Sequence, residues 1–162
     1  MLSLSDFFTP DEVRAALGVS NLELEDATLD LDMYPRHLEI ELLQYGQNII
    51  SDFHTAGSLP APTAADQLFT SLVKQFSLYS VAVLVAESSP NFSPRNITDG
   101  KGGFIRHSDS YKEVLARVTA RMQQAGDRLA TAYKTYLGST KTVVVPTLFE
   151  AVTPSFDPVT GA

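Results

Sequence analysis

The side chains able to do chemistry are few and dispersed. His37, His54 and His107 are the only histidines, none stands in an HExxH pair, and only Glu41, one turn after His37, lies at ligand spacing. No cysteine is present, which removes disulfides, thiolate metal sites and thiol nucleophiles together. Asp99-Gly100-Lys101-Gly102-Gly103 has the look of a phosphate loop, but the GxxxxGK[ST] spacing and its strand-to-helix setting are missing, so it reads as a turn carrying a lysine. No serine sits in a GxSxG elbow. The acids Glu23, Glu25, Asp26, Asp30 and Asp32 form a solvated run, with no apolar pocket to separate their pKa values. These patterns predict a protein that is not an enzyme and holds no metal or cofactor.

The elements that would carry these residues are mostly helical. Thr9-Pro10-Asp11-Glu12 is a helix start, with Thr9 as cap, Pro10 in the first helical position and Glu12 closing a capping box. That helix runs to Leu17, and Gly18 ends it in a left-handed conformation with Val19 packing back. From Asn21 to Met33, Leu22, Leu24, Leu29, Leu31 and Met33 alternate with acids, which fits either a strand or an acidic loop with a frayed turn. Beyond Pro35, the spacing of Leu38, Leu42, Tyr45, Ile49 and Phe53 predicts one helix to about Gly57. Thr63 with Asp66 caps a further helix, whose stripe is Leu68, Leu72, Phe76, Tyr79 and Val83. Its end, Val81 to Val85, reads as a buried helix, with a strand as the other reading of those β-branched residues.

Residues 88 to 108, rich in Pro, Gly, Ser and Asn, read as a long polar loop. Tyr111, Leu115, Val118, Met122, Ala125, Leu129, Ala132 and Tyr136 then mark the longest helix, closed by Gly138. From Ser139 the style changes. Val143, Val144, Val145, Thr147, Leu148, Phe149, Val152 and Phe156 are interrupted by Pro146, Pro154 and Pro158, a pattern that neither a helix nor a central strand accepts. The predicted fold is therefore mainly α: an up-and-down helical bundle of three long helices plus a short N-terminal helix over residues 1–138, with an extended C-terminal arm over 139–162.

Composition agrees with a folded chain. Its 162 residues suit one domain, and 44% apolar with 19% charged residues exclude wholesale disorder. The start lacks the basic region and apolar block of a signal peptide, and the apolar stretch Val81 to Ala86 is too short to span a bilayer, so no membrane partner is expected. The formal charge of −7 disfavours general phosphate-backbone binding. It is unevenly spread, with two basic and eleven acidic side chains in residues 1–60 but nine basic and four acidic in residues 90–141. Either the two halves fold against each other, or an acidic face of one subunit meets a basic face of the next in a head-to-tail contact. The arm poses a similar choice. It spans up to about 80 Å at roughly 3.3 Å per residue, against a body about 35–40 Å across, so it either covers its own bundle or docks on a partner through backbone hydrogen bonds and alternating pockets.

Asp11-Glu12-Val13-Arg14-Ala15-Ala16-Leu17-Gly18-Val19-Ser20, the following Glu23-Leu24-Glu25-Asp26, and then Leu29, Tyr34, Leu38 and Leu42 opening a long helix resemble the head-to-tail adaptor, or connector, proteins of tailed bacteriophages. The order of short capped helix, long helices, polar loop with Asp99-Gly100-Lys101 and trailing arm is similar to that family across nearly the whole chain. The resemblance implies a structural virion protein assembled in the host cytoplasm. It implies a homo-oligomeric ring, commonly of twelve copies, between the portal protein and the tail or a second adaptor, with DNA passing through the channel without sequence-specific binding. It further implies that Val143 to Phe156 is the portal-docking arm, and that Arg95, Lys101 and Arg106 in the loop face the lumen or a neighbour. The competing expectation is an acidic helical regulatory module that engages a basic protein partner.

Overall fold

A computed structural model describes residues 2–88, 96–98, 103–105 and 108–140. The fold is mainly helical. A single 3-10 turn, Leu4–Asp6, leads into α1, Pro10–Leu17. The start of α1 is the expected capping box: the Glu12 N–H donates to Thr9 Oγ1 at 3.4 Å and the Thr9 N–H to Glu12 Oε2 at 2.7 Å. At its other end Gly18 has φ +72°, and the N–H groups of Gly18 and Val19 both donate to the Arg14 carbonyl. A residue with a Cβ would be strained there.

The segment after α1 is not a strand. Glu23 accepts from the Ser20 N–H at 2.9 Å, a short helix α2 covers Asp26–Leu29, and Leu24 and Leu29 are buried while Leu22, Leu31 and Met33 are exposed. Arg14 decides this path. Its buried guanidinium donates to the Leu24 carbonyl at 2.8 Å, to Asp11 at 2.7 Å and to Asp26, which pulls the backbone onto α1 and occupies a carbonyl that a ladder would need. The bond to Asp26, with help from Asp11, raises the Arg14 pKa.

The helix expected from Pro35 to Gly57 is two helices, α3 at Met33–Leu43 and α4 at Ile49–Gly57. Leu38, Leu42, Ile49 and Phe53 are all buried, so the stripe is real, but the backbone between them turns. Gly46 lies in that turn against the ring of Tyr133, where an added Cβ would sit 2.7 Å from Cε1. Two long helices follow instead of three. Helix α5, Ala64–Ser88, opens on a reciprocal cap between Thr63 and the buried Asp66. Leu72 and Phe76 of the expected stripe are buried, but the inward face is turned toward Phe69 and Val73, which are fully buried, while Leu68 is 54% exposed. The end at Val81, Ala82, Val85 and Ala86 is buried on nearly all sides and helical.

Helix α6, Ser108–Thr140, is about 50 Å long at 1.5 Å per residue. It continues through Gly138, which closes nothing; that glycine has open space around it and no positive φ. Val118, Ala125, Leu129, Ala132 and Tyr136 line its inward face. Helices α5 and α6 run antiparallel, since Phe69 stacks on Tyr136 at 4.6 Å while Tyr79 meets Arg121 further along. Before α6, Asn96–Thr98 (β1) pairs antiparallel with Gly103–Ile105 (β2), a short ladder inside the stretch expected to be loop.

By length and composition α5 could cross a bilayer, in contrast to the six-residue stretch weighed from sequence, and it is the one such helix among the described residues. Of its most apolar 18-residue window, 56% is buried against the rest of the chain, as in a core helix.

Candidate functional site

The docking residues expected from sequence, Val143, Val144, Val145, Thr147, Leu148, Phe149, Val152 and Phe156, lie outside the described residues, as do Arg95, Lys101 and Arg106. Of the candidate arm only Ser139 and Thr140 are described, and they belong to α6.

No group of three His, Asp or Glu side chains among the described residues could hold a metal ion. An open cleft of about 550 Å³ lies between the end of α4 and the first half of α5, lined by Asp6, His54, Gln67, Thr70 and Lys74 among others. His54 there meets Phe53 edge-on at 5.3 Å and Phe7 at 6.4 Å, and Phe7 stacks on Phe53 at 4.8 Å. Among the described residues no hydrogen bond joins Asp6, His54 and Lys74 into a relay of the kind nucleophilic catalysis needs.

A smaller cleft of about 270 Å³ is lined by Glu41, Tyr45, Phe76, Met122, Gly126 and Asp127. Burial first, then the charges of Glu41 and Asp127, raise the Tyr45 pKa. Nearby, Tyr133 donates to Asp52 Oδ2 at 2.7 Å and stacks on Phe69. Burial, then the Asp52 bond and charge, push the Tyr133 hydroxyl far above its ordinary range. This group ties α4 to α6 and holds its proton, so it acts as a structural clamp.

The distinctive surfaces lie elsewhere. Helix α3 is apolar on two sides. Tyr34, Leu38 and Leu42 face the core, whereas Met33, Ile40 and Leu43 are 47%, 63% and 42% exposed. At about 100° per residue, Ile40 stands about 160° round the helix from both Leu38 and Leu42. Exposed Asp30, Asp32 and Glu39 flank this outer face, and Arg36 within it pairs with Asp32 at 3.7 Å. Sequence reading followed the stripe through Leu38 and Leu42 and passed over the second one at Met33, Ile40 and Leu43, although its spacing of seven and three is also helical.

The second surface is an edge of α6. Arg117, Arg121 and Arg128 are exposed along it, at spacings of four and seven, so they share one side. Arg121 donates to the Tyr79 hydroxyl at 2.9 Å and lies over that ring at 5.8 Å; Arg117 reaches the Ala16 carbonyl at 3.4 Å. The ion pairs among the described residues are Arg14 with Asp11 and Asp26, and Arg36 with Asp32. None of these joins the acidic amino-terminal part to the basic edge of α6.

No family model, curated protein or solved structure matches the chain.

Proposed function

We propose that this chain is a structural assembly protein, a ring-forming adaptor between the portal and the tail of a tailed bacteriophage. In this reading the helices form an up-and-down bundle body, about twelve copies close around a channel that passes DNA, and residues 139–162 extend from the body to grip the portal. The chain works by binding, without catalysis or cofactor, in the virion after assembly in the host cytoplasm.

The observation that supports the reading best is the separation of charge on the folded body. The described ion pairs all lie between residues 11 and 36, while the arginines along α6 face solvent or neutral groups. Opposite charges that are not spent inside a chain remain available to steer and register neighbours. An acidic wall also suits a DNA channel, since each phosphate contact would hold the duplex. The layout resemblance of the amino-terminal 42 residues adds to this.

Electron microscopy of the chain mixed with its portal tests the reading, with a ring seated on the portal as the expected image. Deleting residues 142–162 should abolish attachment and leave helicity by circular dichroism intact. A chain that stays monomeric and never binds portal refutes it. One observation favours the competing module: the acid-flanked apolar face of α3 has the chemistry to receive a basic amphipathic helix. Salt-sensitive one-to-one binding to such a protein, with no ring, would select that reading.

A further inference from the structure

We infer that the outer face of α3 docks on the Arg117, Arg121 and Arg128 edge of α6 in a second copy of this chain. The inference rests on the self-assembly in the reading above, but not on the portal or the arm.

The apolar part comes from α3. Met33, Ile40 and Leu43 occupy the side opposite its buried stripe, so no further packing within the described chain covers them. Scattered exposed apolar side chains are ordinary, but these three share one side of an 11-residue helix, and Leu31 just before it is also half exposed. The charge comes from the surroundings. Residues 21–44 carry seven acids and one arginine, and that arginine, Arg36, already pairs with Asp32. The edge of α6 has the opposite character: its three arginines are interleaved with the exposed Ala120, Gln124, Thr131 and Thr135, and the acids Glu113 and Asp127 border the same side. Small and neutral side chains let another helix approach, and arginine stems can cover apolar surface while their heads reach carboxylates.

Placement within the chain excludes self-satisfaction. Gly126 of α6 packs beside Tyr45, at the end of α3, and lines a cleft with Glu41. Arg121 and Arg128 stand about 140° and 160° round α6 from Gly126. The basic edge therefore faces away from the α3 of its own chain. Each copy presents the acid-flanked face on one side and the arginines on another, so the contact is heterologous and repeats from copy to copy. Helix α3 is only about 16 Å long, less than a standard interface of about 800 Å² per partner would need, so a single contact is weak and gains from closure.

The chain contains no cysteine, so engineered thiols report this contact without background. Ile40→Cys and Ala120→Cys, prepared separately and mixed under mild oxidation, should give a disulfide-linked dimer, and the double variant should give a ladder of multimers. Asp32→Arg with Glu39→Arg should cut the cross-linking about tenfold, as should raised salt. Arg117→Glu with Arg128→Glu on the other copy should restore it, with helicity checked throughout. Absence of any disulfide at the highest soluble concentration overturns the inference. So does Ile40→Cys linking with itself as readily as with Ala120→Cys, which would mean that α3 meets α3. If the charge-reversed chains still form rings on portal, the adaptor reading stands and this contact falls. If cross-links form normally but no portal is ever bound, the contact stands and the adaptor reading falls.

Discussion

Gly126 offers a test in which the sign of a stability change is set by one oxygen atom. It sits inside α6, where glycine costs about 1 kcal/mol relative to alanine. Propensity alone thus predicts that Gly126→Ala stabilises the chain. The surroundings oppose this, because the new Cβ would fall within the van der Waals sphere of the Tyr45 hydroxyl oxygen. Tyr45 has little freedom to yield, since its ring packs edge-on against Phe76 at 5.2 Å and Phe76 lies in the core. Overpacking of this kind costs about 1–3 kcal/mol, and loosening the aromatic pair about 0.5–1.5 kcal/mol more. The expected net effect is a loss of about 1 kcal/mol. In a Tyr45→Phe background the offending atom is gone, and the next nearest atoms, Phe76 Cε2 at 3.5 Å and Tyr45 Cζ at 3.6 Å, are at ordinary contact distance. There the helix preference prevails and Gly126→Ala should stabilise by up to about 1 kcal/mol. Urea unfolding of the four chains measures the cycle, with a coupling of about 2 kcal/mol between the sites. Equal effects of Gly126→Ala in both backgrounds would refute the reasoning.

Two further outcomes follow from groups in the core. Ser77 and Ser80 on α5 are fully buried, and their hydroxyl oxygens have no hydrogen-bond partner among the described residues. Ser77→Ala and Ser80→Ala should each raise the unfolding midpoint, by about 1 kcal/mol in free energy, because an orphaned hydroxyl is removed and a better helix former is added; a fall in both would show that the hydroxyls are satisfied. The Tyr133 pKa is raised in the folded chain, so its contribution is complete below the unfolded tyrosine value near 10 and is lost as pH rises toward the folded value. Between pH 10 and 11 the native chain should lose about 1 kcal/mol more than Tyr133→Phe does. Parallel pH profiles of the two would count against the buried, Asp52-bonded hydroxyl.

The helix ends were the most legible part of the sequence, because a cap is local chemistry. Thr9 with Glu12, Thr63 with Asp66, and Gly18 each act on backbone groups within three or four residues, so neighbouring residue types suffice to read them. What escaped depended on distant partners. The break at Gly46 is set by Tyr133, 87 positions away in the chain, while the apolar stripe passes across it unchanged. The path of residues 20–30 is set by Arg14 reaching Leu24 and Asp26, which no period of two reveals. Helix α5 buries Leu72 and Phe76 of the expected stripe but centres its inward face nearer Phe69 and Val73, because a helix apolar nearly all round gives the period little contrast. The same weakness hid the outer face of α3, since one helix carrying two apolar stripes reads as whichever stripe is followed first.

In the proposed contact, that second stripe connects composition to assembly. A chain with a large core, from Tyr34 and Leu38 to Phe69 and Leu129, has no need to place Met33, Ile40 and Leu43 on the outside of α3 for its own stability. Surface helices ordinarily pair one apolar side with a polar one. An outward apolar side carries a solubility cost, which the acids around it lower by keeping like copies of that face apart. In the proposed contact they would repel a second α3 and attract a basic surface, so one set of charges would disfavour the isologous contact and favour the heterologous one. A net charge of −7 suits the proposed directional surface, which would have to stay soluble before it is covered.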